Sequence, residues 1–315
     1  MLKLIYNEWI KIFSRVGTWA MIVILGLAMT GFALLSNHFT SNEANPNWKQ
    51  ELQGANKEMK QQMKETGNQT VIDSLKQNIA INEYRMDHNI PEDTGYTVWS
   101  YVADSSMMTV LTGLFTIIIA AGIVANEFNW GTIKLLAIRP LSRFQILLSK
   151  YMTVLLFGLL MLVILFAGSA LLGLLFFGTG GDTAANVHLV YKDGRVFEQN
   201  IIAFLAKTYI YESVSAFMLA TMAFMLSAVF RNSSLAVGFS IFLLVMGNTA
   251  TVFLATKFEW TKYILFANTD LSQYMNGTPL VEGMTMTFSV VMLVIYFIIF
   301  MALAFGVFLK RDIAT

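Results

Sequence analysis

Apolar residues fall along this chain in six long runs separated by shorter polar stretches, and the runs set the architecture. Between Ser105 and Asn126 there are 22 residues without a charge, and between Tyr151 and Gly181 there are 31. A membrane-crossing helix needs about 20 apolar residues, so each run is long enough. The pattern predicts spans at 16–36, 105–126, 151–178, 208–230, 235–256 and 284–309. Residues 1–15 repeat differently, with Leu2, Ile5, Trp9, Ile12, Phe13 and Val16 on one helical face and Lys3, Asn7, Lys11 and Arg15 on the other. That pattern predicts an interfacial helix whose apolar face sits at the headgroup boundary and whose basic residues meet anionic lipid. The first span lacks a small-residue cleavage site after its apolar core, so it is expected to stay as an anchor and not to be cut as a signal peptide.

Polar segments fill the gaps. The largest, 37–104, is rich in Lys, Glu, Gln and Asn and is expected to be a small external domain. Within it, two stretches of helix formers without Pro meet at Gly67 and Asn68, which predicts a helical hairpin read as a solvated spacer or subunit contact. The segments 179–207 and 257–283 are expected to be external loops, the second of them aromatic-rich, and 310–315 a short cytoplasmic end. The fold class predicted is therefore an all-α integral membrane protein with six spans.

Composition agrees, with 56% hydrophobic and 13% charged residues and a mean hydropathy of +0.60. The net charge of +1 conceals a polarity across the membrane. With both termini in the cytoplasm, the inner segments hold ten basic against three acidic residues, and the outer ones eleven against seventeen. This orientation obeys the positive-inside rule. No basic patch coincides with a nucleic-acid-binding motif, so nucleic acid is not expected as a partner.

Catalytic chemistry is not visible. There is no Cys, and His38, His88 and His188 stand far apart in outer segments, where each reads as a solvated residue and not a metal ligand. No phosphate-binding Gly-rich loop ending in Lys-Ser/Thr occurs, so the chain is not expected to bind ATP or to be an enzyme by itself. The spans are almost free of charge, which disfavours an ion-coupled carrier. Glu212 is the exception, one turn inside the outer end of the fourth span, where it either snorkels to water or serves an exit gate. On the same helix Ala216, Ala220, Ala223 and Ser227 give a small-residue face, and Asn248, Thr249 and Thr251 place polar groups in the fifth span. These positions form a translocation path or, more conservatively, helix-packing surfaces.

The segment 127–150, between the second and third spans, is the most distinctive. Trp130 suits an interface, Gly131 allows a turn, residues 132–138 can form a short helix, Pro140 ends it, and Ser142 with Gln145 makes a capping box that starts the next helix. The run ANEFNWGTIKLLAIRPLSRFQILLSKY resembles the cytoplasmic loop of type-2 ABC transporter permeases, and the resemblance in layout extends over essentially the whole chain. It implies that this loop carries the coupling helix, with Glu127, Gly131, Thr132, Lys134, Arg139, Pro140 and Arg143 in the ATPase-coupling positions. It also implies two copies of a separate ABC ATPase subunit that binds ATP and Mg, and a second permease chain, identical or similar. Residues 257–277 look like that family's outer segment that dips back toward the membrane. An alternative function for the same layout is a non-transporting membrane scaffold or immunity protein.

Overall fold

A computed structural model describes the chain except for residues 40–46, 68, 92–95, 133–141, 180–186, 193, 231, 276–278 and 311–315. Helices α1 (Leu2–Phe13) and α2 (Val16–Phe39) are followed by a helical pair, α3 (Trp48–Glu65) and α4 (Gln69–His88). The second span is composite: α5 (Val98–Ser105), a 3-10 turn at Ser106–Met108, and α6 (Thr109–Asn129). Then come α7 (Arg143–Phe176), strands β1 (Val187–Lys192) and β2 (Arg195–Asn200), α8 (Ile201–Phe230) and α9 (Ser233–Ala255). A segment with 3-10 turns at Glu259–Tyr263 and Ser272–Tyr274 and the short α10 (Leu265–Thr269) precedes α11 (Met286–Lys310). Six of these helical stretches are long and apolar enough to cross a membrane.

Spans α6 and α8 form the centre. Gly113 of α6 lies so close to α8 that a Cβ there would sit 3.1 Å from Ala216 Cβ, and Ala220, Ala223 and Ser227 continue that contact as buried residues. The backbone N–H of Ala125 donates to Ser227 Oγ at 2.9 Å, pinning the same two helices at the other end. Small residues at a helix interface permit this approach because little side chain stands between the backbones. Around the pair, α7 packs with its buried face of Leu147, Val154, Phe157, Met161 and Leu165, whereas α2, α9 and α11 keep broad apolar surfaces outward.

Two helix starts lie earlier than hydropathy alone predicts, because polar caps and not the apolar boundary begin them. The Ser142–Gln145 capping box forms, with Ser142 Oγ accepting from Gln145 N at 3.2 Å, so α7 starts at Arg143. Asn200 Oδ1 accepts from the N–H groups of Ile202 and Ala203 at 2.9 and 3.3 Å, so α8 starts at Ile201 and not at 208.

The expectation of an all-α chain needs correction at 179–207. Strands β1 and β2 pair antiparallel there, with Lys192 opposite Arg195 and Val187 opposite Asn200. Gly194 holds φ +78° between them, a left-handed conformation that glycine adopts without strain. The β-hairpin packs on α4 and on the start of α8, and Tyr84 OH donates to Glu198 Oε1 at 3.3 Å. Together with α3 and α4 it makes a polar domain at one end of the bundle.

At the same end residues 257–275 pack among the helices. Tyr296 lies ten residues into α11, about 15 Å along it, and its hydroxyl donates to the carbonyl of Tyr263 at 2.9 Å. Phe266 fills the space at Gly247 of α9, where a Cβ would come within 2.3 Å of its ring. Asn268, fully buried, donates to the carbonyls of Lys262 and Ile264 and accepts from Ser289 Oγ, which ties the segment to α11.

Close packing gives a direct stability test. A Cβ at Gly173 of α7 would lie 3.1 Å from Val98 Cα and 3.2 Å from its carbonyl oxygen, whereas Gly306 has open space around it. Gly173→Val should therefore destabilise the detergent-solubilised protein by about 1–3 kcal/mol, the usual range for overpacking. Gly306→Ala should leave its thermal unfolding unchanged; equal melting temperatures for both variants would refute this packing.

Candidate functional site

Four charged side chains from three helices meet where α1, the end of α6 and the start of α7 converge. Lys150 of α7 donates to Glu8 Oε2 at 2.7 Å and to Glu127 Oε1 at 3.0 Å. Lys11 donates to Glu8 Oε1 at 3.0 Å and to the same Glu127 oxygen at 2.9 Å. The hydroxyl of Thr132, the last described residue before the loop, donates to Glu127 Oε2. Lys150 is only 1% exposed and Glu8 and Glu127 are nearly as buried, while Lys11 keeps one side open to solvent.

Electrostatics explains the arrangement. An unpaired charge removed from water costs several kcal/mol, so a buried ammonium survives only with carboxylates around it. Two acids and two bases balance each other, and the open side of Lys11 is where the cluster reaches solvent. Burial works against the Lys11 charge, but hydrogen bonds and charges of Glu127 and Glu8 outweigh it and raise its pKa above the ordinary 10.5. Its contribution to stability is thus present below that value and is lost as pH rises through the folded pKa.

Local sequence builds each stem. Chain direction changes between α1 and α2 because Thr18 Oγ1 and Trp19 Nε1 donate to the carbonyls of Ile12 and Phe13, satisfying the orphan acceptors of the helix end. The Arg15 guanidinium then lies 5.1 Å from the Trp130 ring centroid. Asn129 donates to Ser233 Oγ at 2.9 Å, joining α6 to the start of α9, and Arg143 donates to the carbonyl of Leu309 at 3.3 Å, joining α7 to the end of α11. Gly131 adopts φ +69°, which lets the chain leave α6 sharply.

Of the residues that the sequence points to, Glu127, Gly131, Thr132 and Arg143 gather here. Lys134, Arg139 and Pro140, and the helix expected at 132–138 beyond Thr132, lie outside the described residues. Glu127 is not a surface group but a buried member of the cluster. Glu8, Lys11 and Lys150 were not singled out from sequence as a unit. Lys11 reads there as a lipid-facing base and Lys150 as a topology marker; the structure gives both to carboxylates. The face of α1 that is buried is Glu8 with Ile12, whereas Leu2 and Val16 are among the most exposed side chains of the protein.

The six positions proposed for a translocation path do not share one wall. Ala220 and Ser227 are buried against α6, and Ala216 meets Gly113 there. Asn248 and Thr249 lie on the outward side of α9. Glu212 accepts from Ser106 Oγ at 3.1 Å and Thr109 Oγ1 at 3.2 Å, so it holds the 3-10 break of the second span and does not simply snorkel to water. His188 also departs from the solvated reading. Its ring stacks on Phe204 with centroids 3.5 Å apart, and burial, aided by the Arg85 charge, lowers its pKa below the ordinary 6.5. Among the described residues no cluster of His, Cys, Asp or Glu is arranged to hold a metal.

These features define a multi-pass helical membrane protein with a charge cluster at one end and a polar domain at the other. Residues 71–314 match the family described as "Protein of unknown function (DUF2705)", and the chain belongs to that family. It is 73% identical to the "Uncharacterized protein YhcI" of Bacillus subtilis (strain 168) over the full length of both. It is 35% identical over 216 residues to the "Uncharacterized membrane protein YdbK" of the same organism, covering 68% of this chain and 82% of that one.

Removing one partner from the cluster strands the others. Lys150→Met should destabilise the solubilised protein by about 3–5 kcal/mol, the cost of a broken buried pair. Adding Glu8→Gln should recover part of that loss, read as a non-additive double-mutant cycle. Additive losses would mean that the two groups do not interact.

His188 gives a second test. Because its folded pKa lies below its unfolded one, the packing it joins is weakened as pH falls through 6.5. The groups that face it are Arg85 of α4, Gln199 opposite it on β2 and Phe204 of α8. Hydrogen exchange in β1 should therefore accelerate, beyond its intrinsic pH dependence, between about pH 7.5 and 5.5. His188→Phe should abolish that extra acceleration, and an unchanged profile in the variant would exclude His188 as its source.

Proposed function

We propose that this chain is the transmembrane permease subunit of an ATP-binding cassette exporter. It moves substrate out of the cell on ATP hydrolysed by a separate ATPase subunit, present in two copies, beside a second permease chain of the same or similar kind. In this reading the protein lies in the bacterial plasma membrane with both termini cytoplasmic, and the ATPase, not this chain, binds ATP and Mg. The observation that carries it is the Glu8–Lys11–Glu127–Lys150 cluster, which fastens the N-terminal helix to both stems of the loop at 130–142. A loop tied in this way cannot be displaced without moving α1, α6 and α7 together.

The coupling residues then divide by task. Lys134, Arg139 and Pro140 belong to the part of the loop that meets the ATPase. Gly131 and Arg143 set where the loop leaves α6 and enters α7, and Thr132 links the loop to Glu127. Glu127 acts as a transmitter, since it is buried too deeply to touch a partner chain. ATP-driven closure of the two ATPase subunits would push on the paired loops and tilt the spans as rigid bodies between two arrangements.

The test is an interior proline in the loop. Leu136→Pro costs a helix about 3 kcal/mol, enough to abolish a two-turn helix. It should uncouple export from ATP hydrolysis in the co-purified complex while leaving insertion intact. Cysteines at Gln62 and Gly180 should react with an impermeant thiol reagent on intact cells and one at Ser142 should not. Absence of any co-purifying ATPase, or labelling at Ser142 from outside, would sink the reading and favour the scaffold instead.

A further inference from the structure

A groove of about 500 Å³ runs between α3 and α4 in the polar domain. Lys57, Lys60 and Lys64 line it from α3 at the i, i+3 and i+7 positions of one face, and Glu83 lines it from α4. Lys60 pairs with Glu83 at 2.9 Å, while Lys57 and Lys64 have no partner among the described residues. The backbones at these two positions are about 10 Å apart, seven residues at 1.5 Å each. Asn56, only 4% exposed, also lines the groove. Its Oδ1 accepts from Asn82 Nδ2 at 2.8 Å.

Lysines on an exposed helix are commonly just a solvated face. Solvation does not account for a buried asparagine pair beneath them, since two apolar residues would join α3 to α4 at lower cost. Nor does the balance of the surrounding domain explain a local excess of positive charge, because the rest of α3 and α4 mixes both signs. We propose that this groove binds the phosphate groups of a polyanionic ligand. Ammonium groups act as point charges toward phosphate oxygens, and each oxygen accepts several hydrogen bonds, so the Asn56 amide and the second N–H of Gln61, whose amide also donates to Glu65 Oε1 at 3.3 Å, complete the donor set. The separation of Lys57 and Lys64 favours a ligand that carries more than one phosphate, whether a soluble polyphosphate or adjacent lipid headgroups.

This site stands apart from the transport reading and requires neither an ATPase nor a second chain. It can be tested on the full-length protein in phosphatidylcholine nanodiscs, titrated with tripolyphosphate in a calorimeter. Saturable binding that weakens with added salt is expected. The double variant Lys57→Gln/Lys64→Gln should weaken it about tenfold or more, with helix content unchanged by circular dichroism. Lys76→Gln, which removes an α4 lysine paired with Asp73 and outside the groove, should leave binding as it was. Including phosphatidylglycerol in the disc separates the two sources. Competition with tripolyphosphate that disappears in the double variant identifies the lipid headgroup, and its absence identifies a soluble ligand. No saturable binding at millimolar tripolyphosphate, or equal loss in Lys76→Gln, would overturn the proposal.

Discussion

A lysine that cannot reach water constrains this structure more than any other group. Lys150 lies at the start of a long apolar helix with almost none of its surface exposed, where an isolated ammonium would be expelled or neutralised. Its two carboxylates come from elements far apart in the chain, one 142 residues away and the other 23. Because neither acid alone uses all the donors of Lys150, both α1 and the end of α6 must dock beside it. Lys11 then balances the second negative charge. The N-terminal helix is thus held by charge pairing inside the protein, and its amphipathic surface is a second contribution and not the first.

Much of the geometry at that end follows. With Glu8 fixed, α1 must stop within two turns so that the chain can enter the first span, and the Thr18 and Trp19 side chains satisfy the carbonyls exposed by the break. With Glu127 fixed, its free oxygen faces the loop and takes the Thr132 hydroxyl. The contacts of Arg15 with Trp130, Asn129 with Ser233 and Arg143 with Leu309 then tie the starts or ends of the other helices around the same stems. Exposed pairs of this kind are individually weak. Their effect is positional, since each removes a direction in which a stem might otherwise drift.

Six helices long and apolar enough to span a membrane were legible from uninterrupted apolar runs, because the bilayer thickness is a length requirement that a sequence displays directly. Where a side chain caps a helix, that too can be read, as with Ser142 and Gln145. The β-hairpin escaped because its residues were read only as a loop between spans. Yet VHLVYK and RVFEQN flank Asp193-Gly194, a two-residue turn signal between strand-forming runs, and that signal was available. The charge cluster was harder to see. Glu127 and Lys150 stand 23 residues apart across the loop, and nothing local says that Glu8 will face them. One clue was that Glu8 is the sole acid in an otherwise basic helix, a position where solvated charge alone would favour more lysine.

Among the connections between the two polar ends, the α6–α8 pair brings its backbones into close contact. At the cluster end it is locked by Ser227 on the Ala125 amide, and toward the other end of α6, one turn apart, by Gly113 against Ala216 and by Glu212 on Ser106 and Thr109. Backbones in such close contact cannot slide without overlapping Cβ atoms, so the pair moves as one body. The second span, by contrast, is interrupted by the 3-10 turn where Glu212 binds, and a helix interruption is where bending is concentrated. Under the transport reading, a push at the loop therefore travels along a stiff pair and is released at this break. Glu212 is then better understood as the group that sets the angle of the break than as a ligand for substrate. Its two hydroxyl partners sit in the turn itself and at the first residue beyond it, so a change of angle between α5 and α6 must lengthen at least one of those bonds.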